Sequence, residues 1–152
     1  MGKKIRISMS ERHPAIVIHK GGIPQDRLVY VALANKPVNY SVSRKKSRIV
    51  YIGTTEQGLN RITSSGAKRA REIFEGRGIK RLEFFTVYCR SGRRGFKSWW
   101  VKLERAMIQA FKDSFYQLPR LNTQGKKDWS SYYRYFSERR VKNLVNHFSN
   151  KS

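Results

Sequence analysis

The sequence predicts an α+β fold: a small, mostly antiparallel three-stranded sheet flanked by helices, with N-terminal and C-terminal extensions. Three observations predict it. Runs rich in aliphatic and aromatic residues stand at 26–34, 48–52 and 80–90 and are bounded by Gly, Pro or basic polar turns. Apolar residues at three- and four-residue steps mark helices between and after them. The resulting order is strand, strand, helix, strand, helix, then a closing helix, which suits a single α+β domain spanning 1–152.

Along the chain, "KKIRISMS" (3–10) and "PAIVIHKGG" (14–22) read as short strands or extended pieces. "DRLVYVALA" (26–34) is a stronger strand. "NKPVNYSVSRKKS" (35–47) reads as a loop, because it contains Pro37 and a basic cluster. "RIVYI" (48–52) is a strand closed by Gly53. A helical pattern runs from about Gly58 to Phe74, with an expected break near Gly66, and "GRG" (76–78) stops it. "KRLEFFTVYCR" (80–90) is the third strand, followed by a second basic loop, "SGRRGFK" (91–97). Residues 98–115 form the clearest helix, with Trp100, Leu103, Met107, Ala110 and Phe111 on one stripe. "QLPRLNTQG" interrupts it, and Tyr133, Phe136, Leu144, Val145 and Phe148 mark a C-terminal helix over 128–150.

Charge narrows the partner. The 152 residues carry 33 Lys and Arg against 10 Asp and Glu, a net +23. Such a surface repels itself and calls for an anionic partner. Nucleic acid fits best, since each neutralised phosphate releases counterions. The basic residues are scattered among apolar positions, whereas a membrane-surface helix would concentrate them, so no membrane partner is expected. No apolar run approaches the eighteen or so residues of a membrane span. The start, "MGKKIRIS", does not read as a secretory signal, and the lone Cys89 offers neither an internal disulfide nor a cysteine-rich zinc site. A cytoplasmic protein, nucleoid-associated when bound to DNA, is the expectation.

If the chain cuts phosphodiesters, its acids limit how. The ten acids are Glu11, Asp26, Glu56, Glu72, Glu75, Glu83, Glu104, Asp113, Asp128 and Glu138. None is followed two residues later by Lys, and no close pair suggests a two-metal cluster. His13, His19 and His147 are too spread to build a histidine metal finger. What remains is one carboxylate, one metal and acid-base groups other than histidine.

Tyr30 closes "LVY" (28–30), and Tyr51 opens "YIG" (51–53) on the next strand. Arg61 follows ten residues after Tyr51. Glu104 lies in the strongest helix, and Asn122 follows it in "PRLN" (119–122). This ordered set, across about 27–122, resembles the GIY-YIG nuclease family, including the spacing from Tyr-Ile-Gly to Arg. Three departures stand out. The first motif lacks its Gly, twenty residues separate the two tyrosines, and Ser65 stands where the family often has His.

The resemblance implies a DNA endonuclease with one Mg²⁺ or Mn²⁺ held by Glu104, and a tyrosine hydroxyl that positions or deprotonates the attacking water. It also implies a supporting role for Asn122, and a role for Lys68 as the proton acceptor in place of the missing His. From the residues themselves, each tyrosine alone reads as core with its hydroxyl at the edge. Arg61, near a helix start, suits a two-oxygen grip on phosphate. Glu104 shares a helix face with Trp100 and Ile108, which suits either a salt bridge or a metal ligand.

The basic loops read as backbone clamps for duplex DNA: Arg44, Lys45, Lys46 and Arg48 in the first, Arg90, Arg93, Arg94 and Lys97 in the second. Tyr40 and Phe96 either stack on bases or anchor these loops. One such site cuts one strand, so double-strand cleavage would use a homodimer or two encounters. Two other readings stay open at this point: a non-catalytic nucleic-acid-binding protein, and an RNA-directed nuclease or ribosome-associated factor.

Overall fold

The structure is a computed structural model that describes residues 5–9, 12, 14, 26–74, 78–89 and 98–152. Among the described residues there are three strands, β1 (Leu28–Tyr40), β2 (Lys45–Thr55) and β3 (Leu82–Val87). Three α-helices accompany them, α1 (Leu59–Phe74), α2 (Trp99–Phe115) and α3 (Glu138–Ser149), with a 3-10 helix at Ser130–Tyr135. The sheet is antiparallel throughout, in the order β2-β1-β3. This is the expected α+β class.

β1 is the central strand, and Leu28–Ala34 are buried without interruption because both faces of the sheet are covered. On one face, α1 lays Ile62 against Leu28 and Tyr30. Gly66 lies where α1 meets β3: a Cβ there would stand 3.0 Å from the Phe84 ring. The helix runs through it unbroken, because a residue with no side chain lets helix and sheet approach. On the other face, Leu103, Ala106, Met107, Ala110 and Phe111 of α2, with Val141, Val145 and Phe148 of α3, join Val29, Val31, Leu33 and Ile52 in the main core.

The expected loop over 35–47 is mostly strand. β1 continues through Pro37 to Tyr40, and only a tight turn of four residues precedes β2. The register slips between Leu33 and Val38, an irregularity where the missing Pro37 N–H costs no ladder bond. Burial draws the strand on. Tyr40 is fully buried, donates its hydroxyl to the Ile49 carbonyl at 2.5 Å, and packs 5.0 Å from Phe111. Tyr40 therefore anchors the hairpin and is closed to bases.

At the N-terminal end, residues 5–9 are exposed and irregular where a short strand was expected. Of the piece expected over 14–22, all but Pro14 lie outside the described residues. The C-terminal helix expected over 128–150 is split. The 3-10 helix ends at Phe136, and α3 starts afresh from Ser137, whose hydroxyl accepts from the Arg140 N–H at 3.3 Å. No helix among the described residues is long and apolar enough to cross a membrane.

Arg48 was expected to contact nucleic acid, and the fold uses it otherwise. It is buried, donating Nε to the Ala34 carbonyl at 2.7 Å and Nη1 to the Lys151 carbonyl at 2.8 Å, and pairing with Glu83 at 3.3 Å. Beside it, the Ser47 hydroxyl bonds Ser149 at 2.9 Å. Together they tie the chain end to the sheet. Arg48→Ala should destabilise the fold by roughly 1–3 kcal/mol, because it leaves the Ala34 and Lys151 carbonyls without their donor, while Arg81 still pairs with Glu83 at 2.7 Å. Urea unfolding checks this.

Candidate active site

The two motif tyrosines come together through sheet register. Tyr30 pairs with Gly53 and Ala32 with Tyr51, so both tyrosines lie on the face that carries α1, as diagonal neighbours. Their ring centroids are 5.7 Å apart. Tyr30 is the inner member, 3% exposed and flanked by Phe84 at 6.2 Å. Burial, together with the neighbouring Tyr51, pushes its hydroxyl up to about 12, while the Ser65 hydroxyl on α1 pulls the other way. Tyr30 thus stays protonated at neutral pH and serves as a donor toward Tyr51. Tyr51 is the outer member, half-buried at the mouth of a cavity.

Gly53 makes this pairing possible. A Cβ at position 53 would lie 2.6 Å from the Tyr51 ring, 2.8 Å from Cζ of Tyr30 and 2.9 Å from its hydroxyl oxygen. The Tyr30 ring is buried and cannot withdraw freely. Gly53→Ala should push the rings apart and cost about 1–3 kcal/mol, as overpacking does. A thermal melt that matches wild type would show that the pair has room to spare.

Glu104 reaches the same cavity from the opposite face. Thr54 pairs with Val29, which places it on the α2 side of the sheet. The Thr54 hydroxyl bonds the Glu104 carboxyl. Because β2 is an edge strand, Tyr51 from one face and Thr54 with Glu104 from the other can line one hollow wrapped around that edge. The cavity holds about 370 Å³. Burial raises the Glu104 carboxyl to about 7, with the Thr54 hydroxyl and the Arg105 charge only partly offsetting it. A carboxylate so short of compensating charge is suited to a cation. Among the described residues lining the cavity Glu104 is the one carboxylate, so a metal held here would be completed by water and substrate oxygens.

Asn122 closes the edge. Its Oδ1 accepts from the Ile52 N–H at 3.0 Å, its Nδ2 donates to the Ile52 carbonyl at 2.8 Å, and the Leu121 N–H bonds the Val50 carbonyl at 2.9 Å. The side chain imitates a neighbouring strand and holds the Tyr-Ile-Gly segment in place.

The cations differ from expectation. Arg61 and Lys68 are exposed and do not line the cavity. Arg69 does, its guanidinium 4.6 Å over the Tyr51 ring and donating to the Leu121 carbonyl at 3.3 Å. Arg61, Ser65 and Arg69 form one row of α1 at steps of four, so Arg61 stands about 12 Å up the helix axis from Arg69. Arg105 also lines the cavity, 5.2 Å from both the Trp129 and Tyr132 rings and bonded to the Tyr132 hydroxyl. Reading the sequence missed both arginines. The four-residue row from Arg61 was the available signal for Arg69, whereas Arg105 depends on a loop returning Trp129 to α2.

Arg44, Lys45 and Lys46 are exposed around the tip of the β1–β2 hairpin. Lys46 stands about 17 Å along the strand from Tyr51. Arg90, Arg93, Arg94, Phe96 and Lys97 lie outside the described residues. No protein-family model, curated protein or solved structure matches this chain.

Proposed function

We propose that this protein is a metal-dependent endonuclease that hydrolyses DNA phosphodiester bonds with a single-metal site of the GIY-YIG kind. The observation that carries the reading is the cavity around the β2 edge. There Tyr51, Glu104 and Asn122, three members of the ordered motif set, meet with Arg69 and Arg105. Glu104 would hold Mg²⁺ or Mn²⁺, which when bound polarises a phosphate oxygen and neutralises developing charge. Tyr51 orients the attacking water and relays its proton, taking it on the phenol oxygen while its own hydroxyl proton passes to a phosphate oxygen, with Tyr30 donating a hydrogen bond from behind. Arg69 and Arg105 offer N–H groups to the phosphate from the cavity walls, and guanidinium geometry matches two phosphate oxygens. Arg61, farther along α1, meets a flanking phosphate. One site cuts one strand, so double-strand cuts use a homodimer or two encounters. The chain works in the cytoplasm on nucleoid DNA.

A non-catalytic DNA binder is the second reading, favoured by Arg61 standing outside the cavity and by Ser65 in place of a basic group. Supercoiled plasmid incubated with Mg²⁺, Mn²⁺ or EDTA separates the two. Nicked or linear product with metal alone supports the endonuclease. Intact plasmid under all three conditions, with DNA still bound, supports the binder.

A further inference from the structure

We propose that the tip of the β1–β2 hairpin and the end of α2 form a second contact for duplex DNA. In it, Val42 and Tyr116 rest against the edges of a groove, and Arg44, Lys45 and Lys46 hold the phosphates beside them. The proposal rests on the chain being a DNA-binding protein and adds where the duplex runs beyond the cavity. Val42 and Tyr116 are 62% and 65% exposed. The fold brings them to one end of the molecule from distant parts of the chain. The Val42 N–H donates to Oε1 of Gln117 at 3.1 Å, and Nζ of Lys45 donates to the Ser114 carbonyl at 3.4 Å. Within the turn, the Arg44 N–H donates to the Tyr40 carbonyl at 2.9 Å, and the Lys45 N–H to the Ser43 hydroxyl at 3.2 Å. These ties set the tip in one shape before any partner arrives.

Packing explains the neighbour of Tyr116 and not Tyr116 itself. Phe115 turns inward, where it stacks on Phe111 at 4.4 Å and meets Tyr40 at 5.5 Å. Tyr116 turns outward. Among the described residues its ring has no aromatic or cationic neighbour and its hydroxyl no hydrogen bond. Its backbone sits at φ 58°, the left-handed conformation that closes a helix and that glycine takes without strain. The chain thus keeps a large open ring where helix closure alone favours glycine. Charge selects the occupant. Arg44, Lys45 and Lys46 are exposed around the same tip and form no salt bridge among the described residues. The last acid of α2, Asp113, is taken up by Gln109, Tyr133 and Lys142. A second copy of a chain carrying +23 would be repelled here, whereas DNA offers both phosphates and apolar groove surface such as thymine methyls. Lys45 stands six residues from Tyr51 on β2, about 20 Å. For a duplex lying along β2, that is about six base pairs from the cavity.

The test is binding in EDTA, where no cleavage is needed, read by fluorescence anisotropy on labelled duplexes of graded length. Tyr116→Gly removes the ring, removes no charge and relaxes the backbone, so it should melt at or above wild type. It should bind long duplexes at least about threefold more weakly, as loss of a buried aromatic contact predicts, with an unchanged salt slope. The shortest duplex, which reaches only one of the two contacts, should lose less. Tyr116→Phe keeps the apolar ring and should bind as wild type does. Unchanged affinity of Tyr116→Gly for long duplexes overturns the contact, and so does a loss shared equally by every length. Tighter binding of the same sequence as duplex RNA overturns DNA as the occupant. Dimerisation of the DNA-free protein that Tyr116→Gly abolishes would assign the tip to a second copy instead. Plasmid cleavage without the length-dependent loss would sink the second contact alone. The length-dependent loss without plasmid cleavage would sink the endonuclease alone.

Discussion

Glu104→Ala should reduce DNA cleavage by at least about 10³-fold, as expected when several kcal/mol of charge stabilisation at the phosphate disappear. DNA affinity in EDTA should stay within about threefold, because the carboxylate makes no phosphate contact and its removal does not reduce positive charge. Cleavage at the wild-type rate would make Glu104 structural. Its surroundings also set a pH signature in the metal-free protein. Burial holds the folded carboxyl near 7, against an ordinary value of 4.5. Between those two values the folded state binds more protons than the unfolded chain, so this group's contribution is fully present at low pH and is lost as pH rises through 7. Glu104→Gln should therefore melt above wild type at pH 8, and the gap should close toward pH 5. A divalent cation should raise the melting temperature of wild type but not of the variant. Parallel melting curves across this range would show that Glu104 is better compensated than its environment implies.

Tyr51→Phe is the second large effect. The ring keeps its place between Tyr30 and the Arg69 guanidinium, so stability should change little. What disappears is the hydroxyl at the cavity mouth. Losing a positioned acid-base group costs about 10² to 10⁴ in rate, and the loss should appear in kcat rather than in DNA affinity. Tyr30→Phe should behave differently. Its hydroxyl is buried and acts through Tyr51, so the variant should lose about 1 kcal/mol of stability with the hydrogen bond and a smaller share of the rate. Single-turnover cleavage and thermal melts on the two variants give the comparison. Equal losses would place both hydroxyls at the reacting water.

Much of the fold was legible because periodicity is a local property. The apolar stripe of α2 and the aliphatic run of β1 are written in neighbouring residues, and burial enforces them, whereas β2 runs past the expected stop at Gly53 to Thr55 because Tyr30, Val29 and Leu28 pair with it. Where local composition misled, a distant contact was responsible. Asn35 to Ser47 reads as loop from Pro37 and its charges, yet Tyr40 packing on Phe111 pulls the backbone into the hairpin. Arg48 reads as one more surface cation until the chain end returns to take its hydrogen bonds.

The site divides the same way. The sequence by itself determined the candidate side chains of the proposed site: one carboxylate in the long helix, two tyrosines on successive strands, and an amide after that helix. Tertiary structure decided how they meet. Strand alternation puts Tyr51 and Thr54 on opposite faces of the sheet, which would separate them in a central strand. β2 is an edge, so a single cavity wraps around it and joins the tyrosine face to the Glu104 face. The choice of arginine also belonged to the fold. Arg61 and Arg69 share one row of α1, and which of them reaches the cavity depends on where that helix crosses the sheet. Gly66 fixes the crossing against Phe84, a contact between residues far apart in sequence that no local pattern encodes.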